Sequence, residues 1–306
     1  MGNDQGTPDT HEAQDTRETQ GTQGTLARIF TSLGSQRWPA PAPHLALIET
    51  ELATDEPMDT MVTVIGRMGG MDAPDFSAVD WDAALAPYTD LEFPAYYRMP
   101  FHSVPGGWLS EAAATGDRAA MEAIYADAHV DRSLGIRREL AALVPEDATT
   151  IVDFGSGSGD GPAAVARRLP NAEVLGLEAS PFMLTAAQVQ NADCANLRFE
   201  QGFVESSGLE ADSVDAVTIT LVLHECPDEV KAKILTEAHR ILRPGGVVVL
   251  TDTPNDDLDK NRGFYEPYRL QWRTFDPDDA LTTAGFTGVE HHHVAPPLWS
   301  RTARKG

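Results

Sequence analysis

The chain has 306 residues, 42% of them hydrophobic, enough for one large domain or a domain with a substantial extension. Asp and Glu number 47 against 23 Lys and Arg, a net charge of -24. Such a surface repels phosphate backbones and anionic membranes, which excludes a long nucleic-acid track and a lipid-surface anchor and leaves a small molecule as the expected partner. Two cysteines, Cys194 and Cys226, make no disulfide framework and no thiolate metal spacing, so a reducing compartment and no metal are expected. No apolar leader or membrane-length window is present in the sequence, and the expected location is the cytoplasm.

Residues 1–25 are Gln, Thr, Gly and Asp with the echo "TQGTQGT", a composition that cannot offset chain entropy, and a disordered tail is expected. Residues 26–116 mix the apolar "LARIF", the proline group "WPAPAP" and the aromatic "LEFPAYYRMPFHSVPGGWLS", and read as an N-terminal extension. The spacing of Ala119, Met121, Ile124, Tyr125 and Ala128, with Leu134, Leu140 and Leu143 beyond, predicts one helix or two joined near Gly135 and ended by Pro145. From there to the end, residues 117–306 are expected to form the main domain.

Strand and helix patterns then alternate. "TTIVDF", "AEVLGLE", "NLRFEQ", "SVDAVTITLVL" and "GGVVVLTD" read as strands, and "PAAVARRL", "SPFMLTAAQVQ" and "DEVKAKILTEAHRIL" as helices. That order implies an α/β fold: a doubly wound, mostly parallel sheet with helices on both faces. Asp276, Pro277 and Gly285 frame a further short helix, and "TGVEHHHV" and "LWSRTAR" read as a terminal antiparallel strand pair. The three histidines at 291–293 alternate across that strand and read as surface.

Between the first strand and its helix stands "IVDFGSGSGDG", residues 151–161. The glycines bring bare backbone close to a ligand. A triphosphate loop would need G-x-x-x-x-G-K-[ST], and no lysine is near. A dinucleotide loop, G-x-G-x-x-G, would place Asp160 at its third glycine, where a pyrophosphate wants helix amides. What fits is D-x-G-x-G-x-G, formed by Asp153, Gly155, Gly157 and Gly159.

This motif resembles the first motif of the class I S-adenosylmethionine-dependent methyltransferases, most like the small-molecule branch typified by ubiquinone and menaquinone methyltransferases. Three further segments follow in the family's order: Glu178 in "VLGLEAS", the fourth-strand segment "SVDAVTITLVLHECPDE", and "ILRPGGVVVLTDT". The resemblance covers about residues 120–304 and implies a seven-stranded sheet completed by the antiparallel pair. It also implies that S-adenosyl-L-methionine is the cofactor. Asp153, Gly155, Ser156, Gly157 and Gly159 would then face its methionine half, Glu178 its ribose hydroxyls, and Ala179, Ser180 and Met183 its ribose and adenine.

Many relatives carry Gly-Asp-Ala after the third strand, the aspartate binding the adenine amino group. Here Gly202, Phe203 and Val204 take those places, so the adenine is held by main chain and packing on Phe203, or Glu205 substitutes. Ile219, Thr220 and Leu221 are expected beside the donor methyl, and His224 as the one candidate catalytic base. Tyr97, His102 and Trp108 are expected to bind the substrate under a lid made by the extension. Two other readings stay open: an NAD(P)-dependent oxidoreductase and a cofactor-binding protein without turnover.

Overall fold

The structure is a computed structural model describing residues 74–104, 106–124, 132–255, 266–293 and 298–306. The expected tail at 1–25, the segments "LARIF" and "WPAPAP", and the connector Ala295-Pro296-Pro297 lie outside the described residues.

Seven strands form one sheet: β1 Thr150–Phe154, β2 Glu173–Glu178, β3 Leu197–Gln201, β4 Val214–Thr220, β5 Leu242–Asp252, β6 Phe286–His292 and β7 Trp299–Lys305. Their spatial order is β3-β2-β1-β4-β5-β7-β6. The first five run parallel, while β7 pairs antiparallel with both β5 and β6. The order reverses between β1 and β4, and in such sheets the crevice beyond the carboxyl ends at that switch is where ligands bind.

Strands β1, β2 and β5 are apolar runs because helices cover both of their faces. On one side Phe154, Leu177, Val217, Ile219, Val248 and Leu250 pack on the apolar stripe of helix Asp228–Ile241 and on Trp272. On the other, Ile151, Val174, Ala216, Val247 and Val249 meet Val165 and Ala166 of helix Asp160–Arg168. Each such aliphatic side chain contributes roughly 1.5–3 kcal/mol by leaving water, and the switch-point crevice inherits that rigidity.

Local chemistry sets the helix starts. Ser180 caps helix Pro181–Gln190 by accepting from the Met183 amide at 3.2 Å, and Pro181 stands at its first position, where no amide is missed. Asp276 caps Pro277–Thr283 as expected. The region before the sheet forms two helices, Glu111–Ile124 and Arg132–Ala141. Gly135 lies within the second, and residues 125–131, with Tyr125 and Ala128, lie outside the described residues. The second helix also ends before Pro145, and the first runs continuously through the boundary expected at residue 116. Strand β4 stops at Thr220, earlier than "TLVL" suggests, because Leu221 turns into the left-handed region at φ 57°. No helix among the described residues is long and apolar enough to cross a membrane.

Gly176 on β2 shows how closely the layers fit: a Cβ there would lie 2.5 Å from Phe199 and 2.9 Å from the Ser156 hydroxyl. Gly176→Ala should therefore cost about 1–3 kcal/mol in urea unfolding, and adding Phe199→Leu should restore part of the loss. A neutral Gly176→Ala would show that this contact is not tight.

Candidate active site

The glycine loop leads from β1 into helix Asp160–Arg168 and leans on β2, with the amides of Gly155 and Ser156 both donating to the Leu177 carbonyl at 2.9 and 3.2 Å. Gly155, Gly157 and Gly159 have φ of 70°, 52° and 87°, the left-handed region that glycine adopts without strain. Their surroundings differ. A Cβ on Gly155 would meet Val222 at 2.7 Å, and one on Gly159 would meet Phe199 at 2.6 Å and Asn191 at 2.7 Å, so both glycines serve the protein's own packing. At Gly157 an added Cβ would meet only the Met183 methyl, at 3.6 Å.

Glu178 ends β2 with only 5% of its surface exposed. The Gly157 amide donates to its Oε2 at 2.8 Å, and the Ser180 amide and Tyr97 hydroxyl donate to its Oε1 at 2.8 and 2.9 Å. Burial pushes its carboxyl up, against these three donors, which favour the anion. Asp153, at the end of β1, lies beneath the loop, accepts from the Thr218 hydroxyl, and is pushed up to about 7 by burial. Asp160, the carboxylate that would face a pyrophosphate, forms a two-point ion pair with Arg118 of the N-terminal helix. Ser156 is buried with a hydroxyl that has no partner among the described residues.

Beyond β3, the Gly202 amide donates to the Glu178 carbonyl at 3.0 Å. Phe203 is half-buried, edge-on to Phe93 at 5.8 Å, in a cluster with Ala179, Leu91 and Tyr97. Val204 belongs to the main core. Glu205 accepts from the Tyr96 hydroxyl at 2.5 Å. Met183 is buried against Phe76, Ala114 and Trp108. Thr220 is half-buried at the end of β4 and Leu221 packs on Ile136, Leu140 and Leu298. Ile219, expected beside them, is fully buried in the main core.

After β4 the turn Leu223–Glu225 is gripped by Asp252, the last residue of β5. Its Oδ2 accepts from the amides of Leu223 and His224 at 3.0 and 3.3 Å, and its Oδ1 lies 2.7 Å from His224 Nδ1. His224 is 5% exposed; burial disfavours its charged form, but Asp252 outweighs burial and raises it to about 9. His102 arrives from the N-terminal segment with φ 53°, a conformation costing a non-glycine residue about 1–2 kcal/mol. Its Nε2 is 2.7 Å from Glu225 Oε1 and its Nδ1 is 2.5 Å from Glu266 Oε1. These two carboxylates raise it well above the ordinary histidine range despite burial, which acts the other way. Trp108 Nε1 donates to Glu225 Oε2 at 2.6 Å, while the Trp108 carbonyl accepts from the Ser180 hydroxyl at 2.6 Å.

The structure thus brings Tyr97 to Glu178, and His102 and Trp108 to the turn bearing His224, in one hydrogen-bonded cluster along the carboxyl edge. Arg118, Asp252 and Glu266 were not read from the sequence as site residues. Asp252 occupies on β5 the strand-end place that Glu178 occupies on β2, a signal that could have found it; Glu266 follows a segment without readable periodicity.

This sheet order, with its glycine loop at the switch point and a buried acid ending β2, agrees with the fold that the sequence motifs imply. Residues 151–246 match the methyltransferase domain family. Over 168 residues the chain is 39% identical to the trans-aconitate 2-methyltransferase of Deinococcus radiodurans, covering 54% of this chain and 59% of that protein. Over 140 residues it is 31% identical to the demethylmenaquinone methyltransferase of Staphylococcus aureus, covering 45% and 54%. The matches thus span less than two thirds of these relatives. The crystal structure of human N-acetylserotonin methyltransferase shares the fold at a TM-score of 0.54 and 16% identity, over 83% of this chain and 73% of that one. Residues 151–246 thus match a methyltransferase domain, within a sheet that has the fold of a known methyltransferase.

The unequal glycines separate packing from binding. Gly157→Ala should cost about 1 kcal/mol of stability and weaken donor binding about tenfold or more, while Gly159→Ala should mainly unfold. Calorimetric titration beside thermal melts checks this; equal effects of the two on stability would contradict it.

Proposed function

We propose that this chain transfers the methyl group of S-adenosylmethionine to a small-molecule acceptor by in-line displacement. The observation that carries this reading is the buried Glu178 carboxylate, fixed by the amides of Gly157 and Ser180 at the mouth of the switch-point crevice. The sulfonium donor supplies an already activated methyl, so the protein's work is to orient two molecules and exclude water.

Glu178 takes the ribose hydroxyls, and the Tyr97 hydroxyl now on its Oε1 gives way to them. Gly157 and Ser156 meet the methionine half, with Asp153 supporting the loop from below through Thr218. Ala179, Gly202 and Phe203 flank the adenine by packing, since Glu205 is engaged by Tyr96. Thr220 and Leu221 border the methyl. His224, held by Asp252, is the residue through which the acceptor is activated.

The aromatic segment from Phe93 to Leu109, part of the extension at 26–116, closes the cleft over residues of the 117–306 domain. Tyr97, His102 and Trp108 line the acceptor's side of it. The relatives named for trans-aconitate and demethylmenaquinone support a small-molecule acceptor. An oxidoreductase is disfavoured by Asp160, whose carboxylate and Arg118 partner stand where a dinucleotide loop presents glycine.

Titration with S-adenosylmethionine and with NAD(H) tests the cofactor: binding of the first and none of the second is expected, and the reverse would overturn the reading. Glu178→Ala should abolish donor binding, with melting temperature as the control. Release of S-adenosylhomocysteine on incubation with fractionated metabolite extracts separates a catalyst from a silent binder, and should fall at least about a hundredfold in His224→Ala.

A further inference from the structure

The acceptor side of the cleft holds more ligating groups than orientation alone requires. His102, His224 and Glu225 each offer one atom, and these atoms all lie within 4.8 Å of one another. Each of the three is also fixed from behind. His224 turns its Nδ1 to Asp252, His102 its Nδ1 to Glu266, and Glu225 its second oxygen to the Trp108 indole. That is the pattern of a metal site, in which an outer carboxylate orients each imidazole and an outer donor orients each carboxylate. Glu266 is 4% exposed and its Oε2 has no partner among the described residues.

We propose that His102 Nε2, His224 Nε2 and Glu225 Oε1 bind a divalent transition-metal ion of the zinc type. Two imidazoles and one carboxylate are a ligand set that suits such an ion and leaves a coordination position free. Tetrahedral ligands at ordinary bond lengths stand about 3.4 Å apart. The separation of His224 Nε2 from Glu225 Oε1 is 3.6 Å, already of that size. His102 Nε2 stands 2.7 Å from the same oxygen, and the pair opens by about 0.7 Å to admit the ion.

Two ligands come from the turn after β4 and the third from the N-terminal segment, so the ion ties the segment over the cleft to the main domain. Trp108 links the site to the helix start at Ser180. The free position would take an oxygen of the acceptor, and this makes the ion the means by which His224 acts on it. The site goes beyond the methyl-transfer reading and stands on the cluster's own geometry.

The test uses tag-free, chelator-treated full chain carrying His291→Ala and His293→Ala, which remove exposed surface histidines as competing ligands. Titration with Co2+ should produce a visible d–d band that saturates at one ion per chain and is bleached by Zn2+. His102→Asn and Glu225→Gln should each lose the band, and Glu266→Gln should weaken Zn2+ binding about ten- to a hundredfold. Thermal melting and S-adenosylmethionine titration of the same variants report that they remain folded. Absence of the band in a chain that binds S-adenosylmethionine overturns the metal site alone, as does a band that survives both ligand substitutions. A band in a chain that binds no methyl donor supports the site and overturns the methyl-transfer reading.

Discussion

One buried carboxylate organises the cleft. Glu178 is a charge taken out of water, and the cost of burying it is met only because the Gly157 and Ser180 amides and the Tyr97 hydroxyl all donate to it. Each donor comes from a different element: the glycine loop, the start of the helix after β2, and the N-terminal segment. The acid therefore fixes the loop's path, the helix entry and the docking of the segment at once. Its surroundings also explain why the loop needs glycine. Val222 presses on the loop at Gly155 and Phe199 at Gly159, so neither position has room for a Cβ.

The N-terminal segment completes the cleft by adding the polar groups that the sheet edge lacks. Tyr97 reaches Glu178, Tyr96 reaches Glu205, His102 joins Glu225 to Glu266, and Trp108 spans from Ser180 to Glu225. Its left-handed residue, His102, is held by two carboxylates and by an edge-on contact with the Trp108 ring. Backbone strain of this kind persists where surrounding contacts over-determine it. Arg118 plays the complementary part on the loop's far side, neutralising Asp160 so that the helix start carries no bare charge.

Strands β1, β2 and β5 were legible because strands buried on both faces must be apolar throughout, and the helix caps because Ser180 and Asp276 bond within their own first turns. The misreadings share a cause. Ile219 was expected at the donor site, yet alternation along β4 sends it to the core while Thr218 faces Asp153. "LVL" reads as strand, yet Leu221 turns back at positive φ because the next residues must present their amides to Asp252. At Gly155 and Gly159 the motif shows the glycines but not that Val222, Phe199 and Asn191 leave no room there for a Cβ.

The order of apolar runs, the loop motif and the acid at 178 therefore determined the fold and the class of cofactor, since these depend on local periodicity and on residues joined through one strand and one turn. The acceptor side was decided only in three dimensions. His224 meets Asp252 across 28 residues, His102 meets Glu225 across 123, and Arg118 meets Asp160 across 42. No spacing encodes such pairs, because they form only when the sheet aligns its strand ends and the N-terminal segment folds across them.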